Sequence, residues 1–334
     1  VKHKDRDGVE RLYSSKPPVI SVILAGPYWV VYKLSGEKIT LGTHPYAIGR
    51  PMLVLVNVVP LLFMFWLIAR MAERYGRTDW GRVFVVACTT LGTFLTTFAV
   101  VLNNHTIAAV CATVAFYAFL RILYEGERRL RYFALAGFFA AFTAASELPA
   151  LSLFGLISLA VLWKAPKATL IAYVPAALLV VAAFFATNYM AHDSLRPPYM
   201  HRSEENPEDN WYRYTFERRG RTIESYWNNP QGIDRGEESV GTYALHVLVG
   251  HHGIFSLTPI WLLAFGGMFY LCFRRQPEDL RLAAGVVTVT TLVCPAFYLS
   301  MRHQPDRNYG GMTSGFRWMF WFAPLWLWAM LPAA

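Results

Sequence analysis

The sequence predicts an all-α protein, a polytopic transmembrane helical bundle with an interfacial helix and one large loop outside the bilayer. Three observations carry this. The 334 residues are 55% hydrophobic and only 16% charged. The apolar residues gather in runs near the roughly 20 residues that cross a bilayer's hydrocarbon core. Stretches such as 51–69 are apolar all round rather than along one helical face. Backbone in lipid must bond internally, so the runs are expected as helices, in roughly eight to ten passes.

In chain order, 2–11 is a charged stretch without the apolar core of a signal peptide, and the chain closes inside an apolar run, so a piece of a longer protein is expected. The apolar stretch 19–31 is interrupted by Pro27 and too short to cross. It suits a helix lying at the interface, anchored by Tyr28, Trp29 and Tyr32. Spans are expected at 51–69, 83–102, 106–123, 132–145, 148–163, 169–189, 254–273, 282–299 and from 318 onward. The two around Ser146-Glu147-Leu148-Pro149 are short, and Pro149 fits the first turn of a second helix, which favours a tight hairpin over one kinked helix. The segment 190–253 mixes polar and aromatic residues, and the alternation over 211–216 permits a short strand or hairpin. The chain thus divides into an outer-loop remnant with its interfacial helix (1–50), an N-terminal transmembrane bundle (51–189), the long outer loop (190–253) and C-terminal transmembrane helices (254–334).

The net charge of +9 sits in short clusters between apolar runs, which points to membrane orientation and away from nucleic acid. With 51–69 running inward, the cytoplasmic turns carry Arg70, Arg74, Arg77, Arg121, Arg128 and their neighbours, and the short outer turns carry none. Lys and Arg also occur before residue 51, so the bias is moderate and the opposite orientation stays open. All four cysteines fall inside predicted spans without a CxxC pair, which excludes a disulfide framework and a cysteine zinc site.

Five places carry candidate chemistry. Tyr13-Ser14-Ser15-Lys16-Pro17-Pro18 fixes an ammonium at headgroup depth, suited to a lipid phosphate or to anchoring by a snorkelling lysine. Asn103-Asn104-His105 bonds a sugar or phosphate, or caps the helices that meet there. Glu147, an acid at membrane depth between apolar helices, either faces a cavity or partner or caps the helix beginning at Leu148. His246 and Gly250-His251-His252-Gly253 precede a span. Adjacent His251 and His252 lack the i, i+4 face of a zinc helix, so contact with an anionic headgroup or pyrophosphate is the stronger reading. Asn308-Tyr309-Gly310-Gly311-Met312-Thr313-Ser314-Gly315-Phe316-Arg317 offers glycine backbone N–H groups and a fork-shaped cation to a phosphate, or ends in an anchoring Arg-Trp pair.

Taken in order, Tyr-Ser-Ser-Lys-Pro-Pro before an interfacial helix, an outer turn after the second full span, a charged residue before Pro149, and Gly-Gly-x-x-x-Gly-x-Arg opening a late span resemble the GT-C membrane glycosyltransferases. The nearest are bacterial proteins similar to aminoarabinose transferases and protein O-mannosyltransferases. The resemblance implies a polyprenyl-phosphate-linked sugar donor and transfer on the periplasmic side of the inner membrane to a glycan, lipid or protein acceptor. It also implies a catalytic carboxylate after a first transmembrane helix, which here would precede Val1. Asp5 and Asp7 stand too near the Lys-Pro motif to be that carboxylate. Lys16 matches the family's Lys-Pro lysine at the lipid phosphate, and Arg317 matches the late glycine-rich motif. His105 stands where some relatives carry an acid, which puts acid–base or metal chemistry there in doubt.

The candidate catalytic groups in this chain are therefore Glu147 and His105, and the candidate donor-phosphate ligands are Lys16, Tyr13, His251, His252 and Arg317. A divalent metal ion is the one cofactor left open, with no ligand set assigned. The rival readings are a transporter or flippase of a lipid-linked or anionic solute, for which Asn57 and the threonines between Thr89 and Thr97 are the only hints, and a membrane protein without catalytic activity.

Overall fold

A computed structural model of the chain describes residues 1–4, 6–301, 303–310 and 314–334. In chain order these form β1 (Lys2–Lys4), β2 (Glu10–Leu12), α1 (Val19–Leu34), α2 (Pro45–Tyr75), α3 (Asp79–Leu91), α4 (Asn104–Leu123), α5 (Leu130–Ser146), α6 (Leu151–Lys164) and α7 (Pro166–His192). There follow β3 (Thr215–Arg218), β4 (Arg221–Glu224), α8 (Val240–Leu248), α9 (Trp261–Phe273), α10 (Glu278–Leu299) and α11 (Ala323–Met330). Asp5 lies outside the described residues, as do Gly311, Met312 and Thr313 of the glycine-rich motif.

The protein is predominantly helical. Among the described residues five helices are long and apolar enough to cross a membrane: Pro45–Tyr75, Asp79–Phe98, Asn104–Leu123, Pro166–His192 and Glu278–Leu299. That is fewer than the roughly eight to ten passes expected, because the remaining apolar runs form shorter helices, Val19–Leu34, Leu130–Ser146, Leu148–Lys164 and Trp261–Phe273. The expected span 83–102 breaks at Gly92, and the expected span 254–273 breaks into a turn, Ile254–Leu257, ahead of Pro259 and α9. Within α2 and α7 the stretches Val54–Val58 and Thr169–Tyr173 widen to π geometry. Each stands just before a proline, Pro60 or Pro175, whose ring would otherwise press on the carbonyl four residues back. Pro27 lies inside α1 without ending it.

The chain forms two compact units. One comprises 1–48 and 181–235. Its N-terminal hairpin pairs Lys2 with Leu12 and Lys4 with Glu10, and carries His3 inward. Trp211 stacks on His3 at 3.9 Å and on His201 at 3.6 Å between ring centroids. His3 Nε2 lies 2.9 Å from His192 Nδ1. Asp209 joins His201 (2.5 Å) and Arg196 (2.8 Å), and these partners, the His201 bond first, hold its carboxyl below the usual carboxylate range. The strand foreseen over 211–216 is displaced to β3. Arg219 and Gly220 both have positive φ and form a two-residue turn, which sets the register Arg218↔Arg221.

The other unit, 49–180 and 236–334, is the helical bundle. Helix α4 is its hub, with 83% of its apolar window buried. Ala108, Ala109, Ala112, Ala115 and Ala118 let neighbours approach closely, and α4 packs on α2, α5 and the segment Arg317–Phe322. Two glycines mark backbone contact. A Cβ on Gly137 of α5 would fall 2.2 Å from the Tyr173 carbonyl oxygen, and one on Gly267 of α9 would fall 1.8 Å from that of Ala329 in α11. Helices α5 and α6 pack against each other as the expected hairpin, broken at Glu147. Most of the polar groups that hinted at transport are absorbed locally, while Asn57 Oδ1 is buried with no hydrogen-bond partner among the described residues. Asn57 Nδ2 donates to the Ala99 and Val101 carbonyls at 3.0 and 2.7 Å, capping the broken end beyond α3. The hydroxyls of Thr89, Thr90, Thr93 and Thr96 donate to backbone carbonyls of the same segment.

Candidate functional site

Two polar clusters and an apolar cleft are built in the helical bundle. At the start of α4, Asn103 adopts an extended conformation and its Oδ1 accepts from Thr106 N at 2.8 Å, an N-cap that frees the next two side chains for other work. At the end of α5 the backbone leaves the helix at Glu147, in extended geometry. The side chain of Glu147 makes no cap to the helix that follows, contrary to one of its two expected roles. It turns instead to α4, where Asn104 Nδ2 donates to its Oε1 at 2.6 Å and His105 Nδ1 touches the same oxygen. Asn104 also donates to the Ser146 carbonyl at 2.9 Å, tying the two helix ends together.

The two candidate catalytic residues, distant in sequence, are thus one carboxylate–imidazole pair, with His105 1% and Glu147 7% exposed. Such a pair can accept and pass a proton, the imidazole orienting the acid or relaying through it. Beside it the hydroxyls of Thr106 and Ser146 are buried without a hydrogen-bond partner among the described residues. Buried hydroxyls are seldom left so, which adds two polar groups to the surroundings of the pair.

The second cluster joins 236–252 to 304–318. Gly236 has φ +76°, and a Cβ there would fall 1.8 Å from the Gln304 carbonyl oxygen, so only glycine lets the strands approach. Glu237 N donates to the Arg307 carbonyl at 2.9 Å, and Arg307 returns bonds from Nε to the Glu237 carbonyl (2.6 Å) and from Nη2 to that of Glu238 (2.7 Å). Tyr309 donates its hydroxyl to Glu237 Oε1 at 2.6 Å, and burial together with that bond raises its pKa above the ordinary value. The Tyr309 ring stacks on His252 at 4.4 Å and meets His251 edge-on at 5.0 Å. His251 stacks on His246 at 4.1 Å and touches His252 through their Nδ1 atoms. Partial desolvation by its neighbours first, and the nearby His246 second, lower the pKa of the His251 imidazole, whose ring still reaches the surface.

Arg317 comes to this cluster through Gly310. A Cβ on Gly310 would stand 2.9 Å from Arg317 Nε and 2.8 Å from Trp318 Nε1, so the arginine lies directly over the backbone next to Tyr309. The N–H of Gly310 donates to Asn308 Oδ1 at 2.9 Å, so this glycine amide is already bonded, contrary to the expectation of open glycine N–H groups.

A small apolar cleft of about 30 Å³ is lined among others by Phe94, Ile254, Trp261, Phe316, Phe320 and Trp326. Gly253 and Ile254 on its wall follow His252 directly, and Gly315 and Phe316 precede Arg317. A larger, polar cleft of about 290 Å³ lies around Arg74, Arg77 and Tyr124 at the other end of α4, lined by no residue of either cluster.

Of the five predicted phosphate ligands, His251, His252 and Arg317 therefore gather in one place. Lys16 and Tyr13 belong to the other unit. Lys16 is exposed, its N–H donating to Ser14 Oγ at 3.1 Å, just ahead of buried Pro17 and Pro18 and the start of α1. Tyr13 is built into that unit's interior, stacked on His3 at 4.7 Å and edge-on to His192 at 5.0 Å. Asn104, Glu237 and Tyr309 are members of the clusters that sequence reasoning did not single out as site residues. Asn104 and Tyr309 lay inside motifs already noted, whereas nothing near Glu237 in sequence marks it.

Comparison with protein-family models, curated proteins and solved structures finds no match.

Proposed function

We propose that the chain belongs to a multi-pass membrane glycosyltransferase that moves a sugar from a polyprenyl-phosphate donor to an acceptor on the periplasmic side of the inner membrane. The observation that carries this reading is an apolar cleft whose wall residues are direct sequence neighbours of the candidate phosphate ligands, Gly253 and Ile254 following His251 and His252, and Gly315 and Phe316 preceding Arg317. An amphiphile with a phosphate head would set that phosphate against the guanidinium and imidazoles and run its chain over the apolar side chains at the mouth of the cleft. The resemblance to the GT-C enzymes points the same way and by itself implies Lys16 as a phosphate ligand.

The chemistry assigned to the buried pair follows from its groups. Glu147, oriented by Asn104 and His105, accepts the acceptor hydroxyl's proton as the oxygen attacks the anomeric carbon. The bond from that carbon to the phosphate oxygen breaks, and polyprenyl phosphate leaves with the electron pair, its charge met by Arg317 and the imidazole N–H groups. The transport reading has less support, because the Asn57 amide N–H groups and the hydroxyls of Thr89 and Thr93 bond to nearby backbone carbonyls.

The test is transfer of labelled sugar from a polyprenyl-phosphate donor by the protein in its native membranes, together with donor binding. Lys16→Ala and Arg317→Ala should each weaken donor binding by about tenfold or more, the value of one charge-assisted contact. Unchanged binding and transfer in both variants would remove the phosphate assignment. Movement of donor across the bilayer without transfer would favour the flippase.

A further inference from the structure

We propose that Glu237, His246 and His251 form a binding site for a divalent transition-metal ion of the zinc type. Each offers one donor atom, and the three atoms lie within 4.8 Å of one another. Ligands about 2.1 Å from a tetrahedral ion stand roughly 3.4 Å apart, so small rotations of the three side chains close the set. The donor chemistry selects the ion. Two imidazoles and one carboxylate suit zinc and its neighbours, whereas magnesium and calcium take oxygen ligands.

The surroundings are those of a held ligand set. The imidazole of His246 projects from the last turn of α8, and its Nδ1 is buried with no hydrogen-bond partner among the described residues. Gly250 makes room for that ring, since a Cβ there would fall 2.3 Å from His246 Nδ1. Glu237 has its backbone locked to Arg307, and one carboxylate oxygen is taken by the Tyr309 hydroxyl at 2.6 Å, which leaves the other for an ion. His251 is oriented by His252 on one side and by the His246 ring on the other. Outer partners of this kind fix the direction of metal ligands and raise affinity. The pairing that matters is His246 with His251 across the turn after α8, not the adjacent His251 and His252, which is why the i, i+4 spacing of a zinc helix is missing.

Three protein ligands leave a fourth position open. His251 is exposed, so that position faces outward, where water or a phosphate oxygen can occupy it. The site shares His251 with the phosphate contacts of the proposed function, but holding the ion requires neither donor nor transfer.

The test uses the purified chain, untagged and stripped with chelator, titrated with Co2+ as a spectroscopic probe and with Zn2+ as competitor. The expected result is one Co2+ with visible d–d bands, displaced by Zn2+. H251Q and H246Q should each lose affinity by about 100-fold or more, and Y309F by about tenfold, the effect of removing an outer partner. H303Q, an exposed histidine elsewhere, should bind as the wild type does. H251Q and Y309F alter an exposed ring and a single hydroxyl, so they report even where H246Q unfolds. Wild-type binding no tighter than that of H251Q, or a Y309F protein indistinguishable from wild type together with an unaffected H251Q, overturns the site. Lys16→Ala and Arg317→Ala should still bind Co2+, so failure of the transfer reading and failure of the metal site are separable.

Discussion

Replacement of Glu147 separates a catalytic role from a structural one. In the wild type its carboxylate takes a 2.6 Å bond from Asn104 and the contact from His105, at 7% exposure. Glu147→Gln keeps the volume and an acceptor for Asn104 but removes the charge. The difference between a charged and a neutral hydrogen bond is about 1–2 kcal/mol of stability. Glu147→Ala leaves Asn104 and His105 without their shared partner and opens a cavity, which together cost about 3–5 kcal/mol. If Glu147 takes the acceptor's proton, Glu147→Gln should lower the transfer rate by about 100- to 10,000-fold. That is about 3–5 kcal/mol of barrier, well beyond its effect on folding. The measurements are transfer of labelled sugar from the polyprenyl-phosphate donor at saturating donor, and thermal unfolding in detergent on the same preparations. A Glu147→Gln protein that is folded and keeps more than about a tenth of wild-type turnover would refute the base assignment, because a lost general base is worth at least tenfold more.

Other substitutions probe the rest of the molecule. Gly267→Ala sets a Cβ 1.8 Å from the Ala329 carbonyl oxygen, so α9 and α11 must separate, and unfolding should become easier by about 1–3 kcal/mol in a denaturant titration. Ile254→Trp narrows the apolar cleft and should weaken binding of a long-chain polyprenyl phosphate while leaving a short-chain analogue unaffected; equal loss for both would show that the tail does not use the cleft. Asp209 is held below the usual carboxylate range by His201 and Arg196. A depressed carboxyl stabilises the fold above its unfolded pKa, near 3.9, and that contribution fades as pH falls through the lower folded value. The stability gap between wild type and Asp209→Asn should therefore be full at neutral pH and shrink below about pH 4. A gap that widens there would contradict the assignment.

The helices were largely legible because apolar runs report burial whatever their partner, and the hairpin at 146–149 followed from a proline at a helix's first turn. Their limits were less so. Helix α2 begins at Pro45, ahead of the expected 51, since Tyr46, Gly49 and Arg50 carry no apolar signal yet continue the backbone ladder. Gly92 and Pro259 broke predicted spans, which composition averages over. The hairpin of β1 and β2 is too short and too charged to show alternation. Glu147 and His105 were visible as separate candidates, but their pairing depends on α4 and α5 meeting end to end across 42 or more residues of sequence. Glu237 was invisible, because its role comes from Arg307 and Tyr309 some 70 residues away. Side chains that act through tertiary contact leave no periodic trace.

The arrangement of polarity within the bundle bears on the choice between the two proposed readings. A carrier of anionic solutes needs ionisable or polar groups along a path through the bundle, because the solute must be met at every depth. Here the hub helix α4 holds Asn104, His105 and Thr106 at its first turn and continues as a buried run of alanine, valine and phenylalanine until Arg121 at its other end. Arg121 in turn pairs with Glu125 at 2.7 Å, within a separate polar end. Thr113, the one polar side chain buried midway along this helix, donates its hydroxyl to the Ala109 carbonyl at 2.8 Å and so presents nothing to a passing solute. Among the described residues α4 thus offers a passing solute no free polar side chain between its two ends, which supports the proposed reaction over passage of a solute along this helix.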